Sequence, residues 1–239
     1  MITGGGRGIG AETARKVADA GWDVCVNYRV NKQRAEEIVS AVTARGQRAI
    51  AVQADISAEA EVVRLFQTCG TELGVPTGLV NSAGILGPLT RIDEITGEDL
   101  KQHMMINVVG SILCAREAVL RMSTKHGGTG GVIVNLSSRT SDLGGAGTSV
   151  HYGASKGAIN SFTFGLAQEV AAEGVRVCAV SPGVIDTEIQ PEGRVDAVGP
   201  TLPMQRVGNA DEVANAIVWL LSDEASYVSG TTLNVSGAR

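Results

Sequence analysis

Short aliphatic runs alternate with helix-like segments along almost the whole chain, and this alternation restricts the fold more than any single residue does. Residues 22–28, 47–52, 77–81, 131–136, 175–180 and 231–235 read as strands. Residues 9–20, 31–45, 57–72, 97–125, 152–172 and 211–222 read as helices. Repetition of this kind implies right-handed βαβ crossovers that place helices on both faces of one parallel sheet. Aromatic residues are only 3% of the chain, so the core must be built from Ala, Val, Ile and Leu, as in strands covered on both sides. The expected class is α/β: a doubly wound, Rossmann-type parallel sheet of about seven strands. No linker or shift in composition divides residues 1–239, so a single domain is expected.

Several boundaries have a local cause. Gly21 and Gly46 stand where a helix should end in a left-handed residue. Asn31, Ser57 and Asn209 stand where a side-chain oxygen would satisfy free N–H groups at a helix start. The first strand is anomalous, because only Met1 and Ile2 precede a glycine-rich turn that should follow a full buried strand. The natural protein is therefore expected to carry a few further residues before Met1.

Other function classes are disfavoured. Net charge is −5 with no Lys/Arg run, and aromatics are scarce, which argues against a nucleic-acid partner. Cys25, Cys69, Cys114 and Cys178 are scattered and show no spacing that suggests a metal; they fit buried thiols in a cytoplasmic protein. No apolar stretch reaches the roughly 18 residues of a membrane span, so no membrane partner is expected.

Two local patterns carry chemistry. Thr3-Gly4-Gly5-Gly6-Arg7-Gly8-Ile9-Gly10 leads directly into a helix. Glycines there let the backbone approach a pyrophosphate, and the free N–H groups of the helix start favour its charge. Gly4, Arg7, Gly8, Ile9 and Gly10 are the expected contacts. Further on, Tyr152 and Lys156 are four residues apart on a helix, hence on one face. A nearby ammonium favours the phenolate, so the pair can exchange a proton with an alcohol or carbonyl during hydride transfer. His151, next to Tyr152, points elsewhere on the helix and reads as a structural or rim residue.

The glycine turn, Asn81-Ser82-Ala83-Gly84, Ser137-Ser138, the Tyr152/Lys156 pair and Pro182-Gly183 follow one another in an order that resembles the short-chain dehydrogenase/reductase family. The resemblance covers essentially the whole chain and is nearest to the bacterial sugar-dehydrogenase-like and 3-oxoacyl-reductase-like members. It implies that Ser138 hydrogen-bonds the substrate oxygen, Tyr152 is the proton donor or acceptor, and Lys156 holds ribose hydroxyls and tunes the tyrosine. It implies that Asn107 holds a water in the proton relay. It assigns cofactor contacts to Asp55 and Ile56, to Asn81, Ala83 and Gly84, and to Pro182, Gly183, Ile185 and Thr187. Ser82 departs from the asparagine usual at that position.

In NAD-preferring relatives an acidic residue ends the second strand. Here Tyr28 and Arg29 stand there, and a cation favours the 2′-phosphate of NADP, with Arg7 in reach of the same group. Gly6 replaces a serine frequent in NADP-binding relatives. NADP is the expected cofactor in preference to NAD, with no metal. Residues 186–205, which hold Pro191, Pro200 and Pro203, read as the substrate-side loop and a possible mobile lid. The expected activity is reversible hydride transfer between NADP(H) and a small-molecule carbonyl or secondary alcohol, in a homotetramer or homodimer. The rival expectation is a catalytically silent NADP-binding protein on the same fold.

Overall fold

The computed structural model describes residues 1–239. The first half of the chain runs β1 (Ile2–Thr3), α1 (Gly8–Asp19), β2 (Val24–Tyr28), α2 (Lys32–Thr43), β3 (Ala49–Gln53), α3 (Glu59–Glu72) and β4 (Gly78–Asn81). A long helix follows as α4 (Gly97–Met104), a π-helical stretch (Met105–Gly110) and α5 (Ser111–Met122). Next come β5 (Gly131–Leu136), α6 (Thr140–Leu143), α7 (Val150–Val170), β6 (Val175–Pro182) and β7 (Ile185–Asp186). The chain closes with α8 (Arg194–Val198), β8 (Gly208–Asn209), α9 (Ala210–Leu221) and β9 (Thr232–Val235).

Seven strands form one sheet in the order β3-β2-β1-β4-β5-β6-β9, and every pairing is parallel. The expected single-domain, doubly wound α/β architecture is what the structure shows. Side chains alternate across the sheet with period two. Val26, Val80, Val134 and Cys178 pack with Ala14, Val17, Ile217 and Leu220 of α1 and α9. Cys25, Leu79, Ile133 and Val177 pack on the other face with Phe66, Cys114, Ala118 and Ala167 of α3, α5 and α7. β1 is short but central: Ile2 is in register with Val26 on one side and Val80 on the other. Strand order reverses between β1 and β4, and a crevice at the carboxyl ends of such strands is where doubly wound sheets bind ligands.

Gly21 and Gly46 do end their helices at φ +89° and +85°. Asn31 accepts from the N–H of Arg34 at 3.0 Å, and Asn209 forms a reciprocal cap with Glu212. Ser57 is not a cap: its N–H and hydroxyl both donate to Asp55 Oδ1, and α3 starts after Ala58. The single helix expected over 97–125 is interrupted by the π-helical turn and ends at Met122. Contrary to the sequence reading, Gly97–Met122 is long and apolar enough to cross a membrane; half of its apolar window is buried within the protein. The loop 186–205 also contains α8, too short to leave a periodic signal.

Candidate functional site

A groove of about 530 Å³ opens at the β1/β4 reversal. Its floor is the glycine turn, where Gly4 and Gly8 adopt φ +62° and +51°. A Cβ on Gly4 would lie 2.8 Å from Cα of Ala83, so only glycine lets the turn lie against the end of β4. Thr3 Oγ1 accepts from the N–H groups of Ser82 and Ala83, both at 3.1 Å, tying the two segments together. Asn27, buried near the end of β2, accepts from Gly4 N at 3.2 Å and donates to Ala54 O at 3.0 Å. Its buried amide within an aliphatic strand was the available sequence signal, since such a group needs partners. α1 starts with no side-chain cap and no acidic residue in its first turn, which leaves its positive end open to an anion.

Arg7, Gly8, Ile9, Tyr28, Arg29, Asp55, Ile56, Ala83, Gly84 and Thr187 line this groove, as does Gly4. Gly10, Asn81, Tyr152, Lys156, Pro182, Gly183 and Ile185 do not. Gly10 lies beneath the turn, where an added Cβ would be 2.6 Å from Gly4 O. Asn81 is buried, and its amide donates to Ser111 O at 3.0 Å and to Asn135 Oδ1 at 2.9 Å. Pro182 O accepts from Arg139 N at 3.0 Å, Gly183 packs against Ser236, and Ile185 is in the core.

The end of the groove at Arg29 is basic, though its charges are engaged. Arg29 faces Asp55 at 3.7 Å. Burial pushes the Asp55 carboxyl up, but hydrogen bonds from Ser57 and the Arg29 charge bring it below its ordinary value. Arg34, in the first turn of α2, also lines the groove and pairs with Glu188 at 2.5 Å. The sequence reading missed Arg34 and placed Glu188 only in the substrate-side loop, because their meeting joins residues 154 positions apart.

At the Gly84 end stand the side chains with acid–base capacity. A Cβ on Gly84 would lie 3.2 Å from Asn107 Oδ1 and 3.8 Å from Lys156 Nζ. The Lys156 ammonium is buried, donates to Leu136 O at 2.6 Å and lies 5.8 Å from the centre of the Tyr152 ring. Burial pushes its pKa down to about 8. Burial also raises the Tyr152 phenol above its ordinary value, partly offset by a hydrogen bond with Ser138. The expected lowering of Tyr152 by Lys156 is thus not seen; the cost of burying a phenolate sets the direction. Ser138 Oγ is also bonded to Thr140, accepting from its N–H and lying 3.2 Å from its hydroxyl.

Asn107 lies in the π-helical stretch, a form concentrated at functional sites. Gly110, at the end of this stretch, lets it pack on Ile56: an added Cβ would fall 2.8 Å from the Ile56 side chain and 2.9 Å from its carbonyl. Asn107 Nδ2 donates to Ile85 O at 2.8 Å while Oδ1 accepts from Ile85 N at 2.9 Å. Two residues missed from the sequence, His103 and Ser155, complete the surroundings of its amide. His151 is buried against His103, so the structural reading fits better than the rim one.

A family model described as "Enoyl-(Acyl carrier protein) reductase" matches residues 4–237. The chain belongs to the short-chain dehydrogenase/reductase family of oxidoreductases. It is 48% identical to an uncharacterized oxidoreductase, YgfF, of Escherichia coli, over 100% of this chain and 98% of that one. It is 35% identical to a 3-oxoacyl-[acyl-carrier-protein] reductase of Synechocystis, over 99% of this chain and 94% of the relative. A short-chain dehydrogenase from Burkholderia cenocepacia, solved in complex with NADP, superimposes with a TM-score of 0.91 at 33% identity, covering 99% of this chain and 95% of that one.

Proposed function

We propose that this chain is an NADP(H)-dependent dehydrogenase/reductase acting on a small-molecule carbonyl or secondary alcohol. The observation that carries the reading is the convergence of Asn107 and Lys156, the latter beside the Tyr152 ring, on Gly84, which lines one end of a groove whose other end is basic. The fit to a dinucleotide rests on the glycine turn that lines the groove and on the uncapped start of α1. The backbone from Gly4 to Gly10 would hold the diphosphate with Thr187, and Asp55 and Ile56 would face the adenine. Tyr28, with Arg7, Arg29 and Arg34, would face the ribose and its 2′-phosphate. Ala83 and Gly84 border the groove toward Lys156. Gly10 packs beneath the turn, and Asn81 ties the end of β4 to Ser111 and Asn135; Pro182, Gly183 and Ile185 would border the nicotinamide side.

When bound, the cofactor supplies or accepts hydride at C4 of its nicotinamide. In the reducing direction the Tyr152 hydroxyl donates its proton to the substrate oxygen, and the Ser138 hydroxyl hydrogen-bonds that oxygen. The raised pKa of Tyr152 keeps the proton in place at neutral pH. Lys156 stabilises the phenolate left behind and holds ribose hydroxyls, while Asn107 holds the water that passes a proton inward. Residues 186–205 form the substrate-side wall and provide specificity. Ile112 and Leu120 of α5 and Phe164 of α7 are exposed apolar residues that support pairing of copies as a dimer or tetramer.

The test is NADPH oxidation at 340 nm across a panel of sugar-derived ketones, acyl thioesters and small ketones. Substrate-dependent oxidation is expected. Tight NADPH binding with no turnover on any member would favour the silent binding protein instead.

A further inference from the structure

His103, buried in the last turn of α4, has no role in the chemistry above, yet its ring lies against the Asn107 amide. We propose that His103 is a positioning residue: held neutral with its proton on Nδ1, it accepts through Nε2 and locks the helix carrying Asn107 onto the helix carrying Tyr152 and Lys156. The value of this lock to turnover rests on the hydride-transfer reading; its chemistry does not.

The tautomer follows from the hydrogen bonds around it. The two bonds with the backbone of Ile85 fix which end of the Asn107 amide is nitrogen. Its second N–H points at His103 Nε2, 3.0 Å away, and at Ser155 Oγ, 3.3 Å away. Ser155 Oγ itself lies 3.1 Å from His103 Nε2 and 2.8 Å from Tyr152 O; its single proton goes to Nε2 in the proposed arrangement, and the Asn107 N–H is shared between Nε2 and Ser155 Oγ. A proton on Nε2 would face the Asn107 N–H, so the geometry favours a lone pair on Nε2 and the proton on Nδ1, which itself has no partner in the cluster. One ring nitrogen thus touches Asn107 on one helix and Ser155, the neighbour of Lys156, on another.

The surroundings oppose a second proton. His151 meets His103 edge-on, with ring centres 4.9 Å apart, and Tyr152 does so at 5.9 Å. Burial, then the nearby His151 and Lys156, push the His103 pKa down to about 4. Gly87 closes the cluster: a Cβ there would fall 2.8 Å from His103 Nδ1 and 3.3 Å from His151 Nε2, so any larger residue would displace both rings.

The direct test is nitrogen NMR of the ¹⁵N-histidine-labelled protein between pH 8 and 5.5. His103 should show a protonated Nδ1 and a bare Nε2 throughout. A proton on Nε2, or titration near the ordinary value of 6.5, overturns the proposal whether or not the protein turns over a substrate. Kinetics supply the second arm. Gln can bring a carbonyl oxygen to the place of Nε2 without titrating, whereas Leu cannot. His103→Leu should lower kcat about tenfold with NADPH affinity unchanged, and His103→Gln should recover most of it. Unchanged kcat in His103→Leu, or no advantage of Gln over Leu, overturns the lock; if the Leu variant does not fold, the NMR result decides.

Discussion

Arg34 of α2 and Glu188 of the substrate-side loop meet at 2.5 Å, and both side chains line the groove beside Arg29. Both are about half exposed, so the pair itself adds little stability, and Arg34 is free to exchange Glu188 for a phosphate. Charge-assisted bonds to a 2′-phosphate contribute roughly 1.5–3 kcal/mol each. Replacing Arg29 or Arg34 by Ala should therefore raise KM for NADPH about tenfold or more while leaving KM for NADH almost unchanged. Steady-state assays with both cofactors check this; equal losses for both would remove the 2′-phosphate assignment.

The glycine turn predicts a different failure. A Cβ at Gly10 would come within 2.6 Å of Gly4 O, which is backbone and cannot step aside. Gly10→Ala should destabilise the chain by about 1–3 kcal/mol and weaken NADPH binding, because α1 can no longer pack on the turn. Denaturant melts and fluorescence titration measure the two effects. A variant with native stability and affinity would contradict the packing argument.

Lys156 gives a pH signature of folding. Its pKa falls from 10.5 in an exposed lysine to about 8 when buried. Between those values the unfolded chain binds a proton that the folded chain does not, so stability rises with pH across that window. Below about 8 both forms are protonated, and the native state bears the full cost of the buried charge. Relative to Lys156→Met, the wild type should gain up to about 3 kcal/mol between pH 8 and 10.5. Urea melts of both proteins across that range test it; a constant difference would contradict the burial account.

The sheet was legible because its strands are aliphatic runs, and the helices because they fill the gaps between them. Strand 131–136 was read to the residue, and the capping roles of Asn31 and Asn209 follow from side-chain chemistry alone. Ser57 misled because Asp55, two residues earlier, takes its hydroxyl. The π-helical turn left no trace in the periodicity, and the close approach of Gly110 at its end to Ile56 is a contact across the fold. The Tyr152/Lys156 pair was visible as a helical spacing. The partners of Asn107 were not: Ile85 and Ser155 reach it from 22 and 48 residues away. The protonation tendency of Tyr152 also escaped the sequence, because burial rather than its neighbour sets it.

The central claim is that Tyr152 donates the proton. The most direct measurement is kcat of Tyr152→Phe on the best substrate from the carbonyl panel, alongside the NADPH Kd of the same variant. The account predicts a fall of roughly 10²–10⁴-fold in kcat, with Kd within about twofold of wild type. Turnover close to wild type in that variant would contradict it.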